Sequence, residues 1–147
     1  MKPWPQFLLL FASLLLTACA EPVGPESQIR ANIMAMETAL AERSNGDFME
    51  HLSASFSGGK SGQEGFDRDG AQKMLALYFL RYRNIEVLVS QVDVEIDLYE
   101  PALARATASV ALAGGQRLIP NSAGLYSVES QWQDFDGDWK LTHLRWE

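Results

Sequence analysis

Apolar residues recur at helical spacing in the first third of the chain. Four of them are separated by four, three and four residues, which places them on one face of an amphipathic helix. The set consists of Ile29, Ile33, Met36 and Leu40. Ser27 is expected to cap the start of this helix, and the Gly-containing segment 44–46 is expected to end it.

Two further helices are predicted before the pattern changes. Asp47 and Glu50 have the spacing of a capping box, which predicts a short helix through Leu52. Residues 58–65 contain four glycines and are expected to form a mobile loop. A capping signal at Asp69 then precedes a dense apolar and aromatic run, which predicts a third helix that is buried on most sides.

From Ile85 onward the period of the apolar positions becomes two, which indicates strands. The alternation of Val92, Val94 and Ile96 with acidic residues predicts a strand with one solvated face, ending at the turn Glu100-Pro101. The next strand, 102–113, is rich in small residues, so it is expected to be central in the sheet or to line a cavity.

The last two strands, 125–135 and 138–146, flank Asp136-Gly137, which is a strong signal for a two-residue hairpin. This turn fixes the register, so Trp132 should face Leu141 and Ser130 should face His143. One face of the hairpin is expected to point toward the core. It carries Tyr126, Trp132, Trp139, His143 and Arg145. Leu144 and Trp146 fall on the opposite face and would form an apolar outer patch.

The N-terminus has the anatomy of an export signal, with Lys2 followed by an apolar run over 7–16 that is too short to span a bilayer. The segment Leu16-Thr17-Ala18-Cys19 resembles the lipobox of bacterial lipoproteins, in which the Cys thiol receives diacylglycerol and the chain is cut just before it. Cys19 is the only cysteine of the chain. The alternative is ordinary signal cleavage at the small residues around Cys19, which would release a soluble exported protein.

The lipobox resemblance divides the chain into a signal peptide (1–18), a lipidated Cys19 with a tether (19–26), and one domain (27–147). Acyl chains such as palmitate would hold the protein on a membrane. In such lipoproteins an Asp directly after the Cys retains the protein at the inner membrane. The residue here is Ala20, so the resemblance implies the outer membrane, on the periplasmic side.

Composition narrows the function classes. The net charge is −7, which argues against nucleic acid as a partner. The predicted order of helices followed by strands is typical of the α+β class. With its one thiol outside the folded segment, the domain must be stabilised by its core without a disulfide.

The order of elements, with the ending Asp136-Gly137-Asp138-Trp139-Lys140-Leu141, resembles the nuclear transport factor 2-like superfamily, which includes SnoaL-like polyketide cyclases and ketosteroid isomerases. The resemblance implies a cone in which three N-terminal helices pack on a curved, mostly antiparallel sheet around a pocket. It also implies that the outer sheet face can pair two subunits. The catalytic Asp and Tyr of the enzymatic members have no identifiable counterparts here.

His143 is the best catalytic candidate, because an imidazole could act as a general base if an acid oriented it, with Tyr126 as a second candidate. Trp132, Trp139, His143 and Arg145 are the candidate pocket residues. No metal site and no cofactor are expected. The acidic segment 134–138 imitates the start of a calcium loop, but the position of the bidentate acid is Arg145. The segment 58–61 lacks the first glycine of a phosphate loop.

Taken together, the sequence predicts an outer-membrane lipoprotein with a non-catalytic, ligand-binding or accessory domain. Its partners would be membrane lipid through Cys19, a small apolar ligand, and a second copy through the outer sheet face. The alternative is a small envelope enzyme that performs acid/base chemistry on an apolar substrate in the pocket. A hollow pocket holding His143 beside an acid would favour the enzyme.

Overall fold

The computed structural model describes residues 23–115 and 122–147. These residues form helices and strands in the following order. The elements are α1 (Pro25–Ala41), α2 (Asn45–Glu50), β1 (Leu52–Lys60), β2 (Phe66–Asp67), α3 (Arg68–Arg81), β3 (Asn84–Ile96), β4 (Leu103–Gly115), β5 (Ser122–Phe135) and β6 (Asp138–Trp146).

The strands form one six-stranded sheet with the order β2-β1-β6-β5-β4-β3. All neighbouring pairs are antiparallel except β1 and β6, which run parallel. The α+β class is therefore confirmed. The expectation of three N-terminal helices is wrong in detail, because β1 and β2 lie between α2 and α3.

The first helix begins earlier than predicted. Gly24 is its N-cap and Pro25 occupies the first helical position, where a missing backbone N–H costs nothing. Ser27 is therefore inside the helix and does not cap it. The helix starts two residues before position 27, at which the domain was expected to begin.

The glycine-rich segment 58–65 is only partly the predicted loop, because 58–60 belong to a strand and 61–65 form the turn to the next strand. Ser44 caps α2 by accepting a hydrogen bond from the Asp47 N–H at 3.4 Å, and the helix ends at Glu50. The chain then enters β1, whose residues 57–60 pair with β6. The glycines at 58 and 59 lie in this strand, where an added Cβ would come within 2.8 Å of the Phe56 ring and 3.0 Å of the Gly65 Cα, respectively.

The third helix is buried on one face only, which corrects the prediction of burial on most sides. Its N-cap is Asp67, whose Oδ1 accepts a hydrogen bond from the Gly70 N–H at 2.8 Å. Ala71, Leu75 and Phe79 form the buried face. Leu80 is 82% exposed on the other side, although the run around it is apolar.

The edge strand β3 is held by α1. Gln91 has a φ of 52° and forms a β-bulge, after which inward positions change from odd to even residue numbers. The Glu37 carboxylate accepts a hydrogen bond from the Val89 N–H at 3.0 Å, and Arg30 donates one to the Val92 carbonyl at 2.6 Å. These two side chains satisfy backbone groups of an edge strand, which protects the edge from other chains.

The closing hairpin has the predicted turn but not the predicted register throughout. Asp136 and Gly137 both have positive φ, and Trp132 faces Leu141 as expected. A β-bulge then intervenes, so His143 faces Gln131 and not Ser130. Thr142 is the extra residue, and its hydroxyl donates to the Gln131 carbonyl at 3.1 Å. Every side chain after Thr142 is consequently on the face opposite to the one predicted.

The hydrophobic core lies between the helices and the concave side of the sheet. Trp132, Ile29 and Leu141 are its most buried large side chains, each less than 2% exposed.

The Asp97 carboxylate closes the β3–β4 turn by accepting hydrogen bonds from two backbone N–H groups, which lower its pKa. Within the described residues, no helix combines the length and the apolar run that a membrane crossing requires.

Candidate ligand-binding site

An apolar cavity of about 350 Å³ lies inside the cone. Side chains from all three helices and from strands β3 to β6 line it, and it is partly open. Almost all of the lining is aliphatic or aromatic. Cavities of this size and character commonly hold small organic ligands.

Small side chains on β4 create the space. Ala106 and Ala108 alternate with outward residues along the strand and point into the cavity. Of the two alternatives expected for this strand, lining a cavity is confirmed, whereas β4 is paired on both sides but lies next to the edge strand β3 and not at the centre of the sheet. Larger side chains at these two positions would fill part of the volume.

One carboxylate lines the cavity. Glu37 follows the apolar stripe of α1, four residues after Ile33, so it lies on the same helix face. One of its oxygens accepts the hydrogen bond from Val89. Glu37 is not among the site residues predicted from the sequence, although an acid within an apolar helix stripe is a signal that could have identified it.

Two phenols also contribute to the lining, Tyr78 from α3 and Tyr126 from β5. Neither hydroxyl has a hydrogen-bond partner in the described part of the chain. Burial raises the pKa of Tyr78 above its usual value of 10.0, and the neighbouring Tyr82 and Tyr126 raise it further. The Tyr78 phenol is therefore a neutral hydrogen-bond donor at neutral pH.

The raised pKa of Tyr78 predicts a stability change in alkali. In the unfolded chain this phenol ionises around pH 10.0, whereas in the folded protein it keeps its proton to a higher pH. The free energy of unfolding that this difference contributes is therefore fully present below pH 10.0 and is lost as the pH rises through the pKa of the folded protein. Denaturant unfolding between about pH 9 and pH 11 should show a falling free energy, less steeply in Tyr78→Phe. Tyr99→Phe, at a position 93% exposed, is the control and should match the wild type. Equal slopes in all three proteins would contradict the prediction.

The site residues predicted from the sequence lie in three different places: the cavity, the core and the outer face of the sheet. Tyr126 and Trp132 line the cavity. Trp139 is buried in the core and is not part of the lining. His143 and Arg145 lie on the outer face of the sheet, because the bulge at Thr142 reverses their direction. Their expected place in the pocket is therefore wrong.

The same bulge turns Leu144 and Trp146 inward, where both line the cavity. The apolar outer patch expected from these two residues does not form. The cavity is hollow, but the His143 Nδ1 is 2.8 Å from the Ser57 hydroxyl on the outer face and not beside an acid in the pocket. The geometric condition for His143 as a general base in the pocket is not met.

Other candidate features have structural explanations. The Asp134 carboxylate accepts a hydrogen bond from the Gly137 N–H at 2.6 Å, so it stabilises the hairpin turn. The described residues contain no group of three or more His, Cys, Asp or Glu side chains placed to hold a metal ion. Cys19 and the predicted signal peptide lie outside the described residues.

No family model matches the sequence, and no curated protein sequence matches it. Solved structures do match the fold. An NTF2-like protein of unknown function from Pseudomonas putida KT2440 superimposes with a TM-score of 0.70 at 16% identity, over 83% of this chain and 84% of that one.

Two further structures carry names that indicate chemistry. A candidate scytalone dehydratase from Novosphingobium aromaticivorans DSM 12444 has a TM-score of 0.68 at 14% identity, over 82% of this chain and 80% of that one. The hexachlorocyclohexane dehydrochlorinase LinA-type3 from Novosphingobium barchaimii LL02 has a TM-score of 0.64 at 15% identity, over 81% and 85%. Likeness at these identities concerns the fold and not the function. The chain therefore has the NTF2-like fold, a curved mixed sheet that encloses an apolar cavity with its helices.

Proposed function

We propose that this protein is an outer-membrane lipoprotein whose NTF2-like domain binds a small apolar ligand without transforming it. Cys19 carries the lipid anchor in this proposal, and the cavity holds the ligand. The observation that carries the binding role is the apolar cavity of about 350 Å³. Transfer of an apolar ligand from water into such a space is favourable by about 25 cal/mol per Å² of buried surface.

The polar groups of the cavity define the ligand further. Tyr78 and Tyr126 offer two hydroxyls without partners in the described part of the chain. Ser130 offers none, because its Oγ donates to the Ala106 carbonyl at 3.1 Å and accepts from the Trp132 indole at 2.9 Å. The preferred ligand is therefore mostly apolar, with one or two oxygen atoms that accept hydrogen bonds from phenols.

The anchor would keep the domain close to the membrane. α1 begins at Pro25, which leaves residues 20–24 between Cys19 and the helix. Five residues extend at most about 18 Å. A cavity held this near a bilayer would exchange apolar ligands with the lipid phase over a short distance.

An envelope enzyme that performs acid/base chemistry is the second candidate, and Glu37 is the observation that favours it. A carboxylate that lines the same cavity as two phenols can accept and donate protons. We favour binding, because within the described residues the lining contains no histidine or lysine, and one Glu37 oxygen already accepts the Val89 N–H.

Filling the cavity is the test of the binding role. Ala108→Phe places an aromatic ring in the space, so the affinity for the apolar fluorophore N-phenyl-1-naphthylamine should fall by about tenfold or more. The measurement is a fluorescence titration of the purified protein. Because the ring enters a void, the free energy of unfolding should not decrease by more than about 1 kcal/mol.

Ala111→Phe is the matched control. Ala111 lies on the same strand but on the outer face, between Leu88 and Leu125 in register. This variant should bind the fluorophore as the wild type does. Equal binding by both variants, or no saturable binding by the wild type, would contradict the proposed function.

A further inference from the structure

The lining of the apolar cavity contains a single carboxylate and no cationic side chain among the described residues. Glu37 supplies the carboxylate, and the other lining residues are apolar or carry hydroxyl groups. Acids without an ion pair are ordinary on the exposed surface of a chain with a net charge of −7. Glu37 differs from them, because it faces a space with mostly apolar walls. The occupant of that space therefore decides how the charge is solvated.

The carboxylate of Glu37 is held in place by one of its two oxygens. Oε1 accepts the Val89 N–H at 3.0 Å. In the described part of the chain, no ion pair includes Glu37 and no hydrogen bond reaches its second oxygen. Arg30 lies on the same helix, but its guanidinium donates to the Val92 carbonyl and pairs with Glu26. The second oxygen of Glu37 is therefore available to a ligand.

The carboxylate lies in the half-exposed part of the cavity. Val89, which it contacts, shares one row of the sheet with Val110 and Tyr126, and all three are half-buried. Neighbouring strands are about 5 Å apart, so Tyr126 starts about 10 Å from the strand that Glu37 contacts. Trp132 lines another part of the cavity and is buried. The cavity thus has a buried apolar end and a half-exposed part with a carboxylate and a phenol.

The free oxygen of Glu37 makes the cavity discriminate between ligands. A neutral apolar ligand that fills the space displaces water from this oxygen and gives it no hydrogen bond, which is costly for a charged group. A protonated amine replaces the water by a charge-assisted hydrogen bond. It has further N–H donors, and the hydroxyl oxygen of Tyr126 can accept one of them.

We propose that the cavity selects apolar ligands that carry a protonated amine. The apolar body of the ligand lies against Trp132, and the ammonium group donates to the second oxygen of Glu37. This inference rests on the proposed function and names its ligand class more narrowly. The amine is an addition to the oxygen atoms that the phenols would bind, and no covalent bond forms or breaks.

A matched pair of competitors tests the inference. The ligands 1-naphthylmethylamine and 1-naphthalenemethanol have the same aromatic body, and only the amine is protonated at pH 7. Each is titrated against the purified protein with bound N-phenyl-1-naphthylamine, and the loss of fluorescence gives its affinity. We expect the amine to bind about tenfold or more tightly than the alcohol.

Two variants assign this preference to one carboxylate. Glu37→Gln removes the charge but keeps a carbonyl that can accept the Val89 N–H, and the ratio of the two affinities should fall to about one. Glu86→Gln removes the same charge from an exposed position on β3 outside the cavity lining, and it should keep the ratio of the wild type. Each ratio compares two ligands on one protein, so a change in folding affects both measurements alike.

The outcomes separate this inference from the proposed function. Equal affinities of the amine and the alcohol, in a wild-type protein that binds the fluorophore, overturn the inference and leave the binding role in place. An unchanged ratio in Glu37→Gln also overturns it, as does an equal loss of the ratio in both variants, because that result indicates only the net charge. If the fluorophore shows no saturable binding, then the proposed function fails and this inference fails with it.

Discussion

Replacing Trp132 with alanine is expected to lower the free energy of unfolding by about 3–5 kcal/mol. The indole is 1% exposed and packs in the main core cluster. Its N–H donates to the buried Ser130 hydroxyl at 2.9 Å, so the substitution also removes a hydrogen bond inside the core. Guanidinium unfolding followed by far-UV circular dichroism measures the change.

Tyr99→Ala is the control for the loss of a large aromatic side chain. Tyr99 is 93% exposed in the β3–β4 turn, so its truncation should change stability by no more than about 0.5 kcal/mol. A loss smaller than about 1 kcal/mol in Trp132→Ala would show that the indole is not packed as described.

Replacing Cys19 with serine is expected to move most of the protein from the membrane fraction to the soluble fraction. A serine hydroxyl cannot form the thioether that joins diacylglycerol to the chain. Loss of the acyl chains removes about 0.8 kcal/mol of membrane affinity for each buried methylene group. Cell fractionation with immunodetection measures the distribution, and mass spectrometry of the mature N-terminus identifies the modification.

Ala20→Ser is the matched control, because it alters the neighbouring residue and leaves the thiol in place. It should fractionate as the wild type does. If Cys19→Ser stays with the membranes in undiminished amount, then the anchor is wrong, and ordinary cleavage around this residue becomes the better explanation.

The closing hairpin shows how far the sequence predicts the fold. Asp136-Gly137 defined the turn and the pairing of Trp132 with Leu141, because a two-residue loop leaves no freedom in register. The bulge at Thr142 left no comparable signal. A single extra residue reversed the directions of His143 and Arg145, and with them the predicted pocket.

β1 was missed for a different reason. Its sequence is rich in serine and glycine, which have low strand propensity. The strand forms because it pairs in parallel with β6, where Ser57 meets His143 from the far end of the chain. Such a contact depends on tertiary structure, and local pattern cannot reveal it.

The cavity was predicted in part. The small residues of β4 indicated a strand that lines a cavity, and Ala106 and Ala108 do so. Glu37 was overlooked, because the helix stripe was interpreted from its apolar members alone. The exposed Leu77 and Leu80 of α3 show the opposite error, since apolar composition was taken as burial on most sides.

The central claim is that an apolar ligand enters the hollow cone. An isotope-filtered nuclear Overhauser experiment with bound N-phenyl-1-naphthylamine tests it most directly. We expect contacts from the ligand protons to the methyl groups of Val128 and Leu144, which line the cavity. Contacts only to Leu88 and Leu125, which are exposed on the sheet, would contradict the claim.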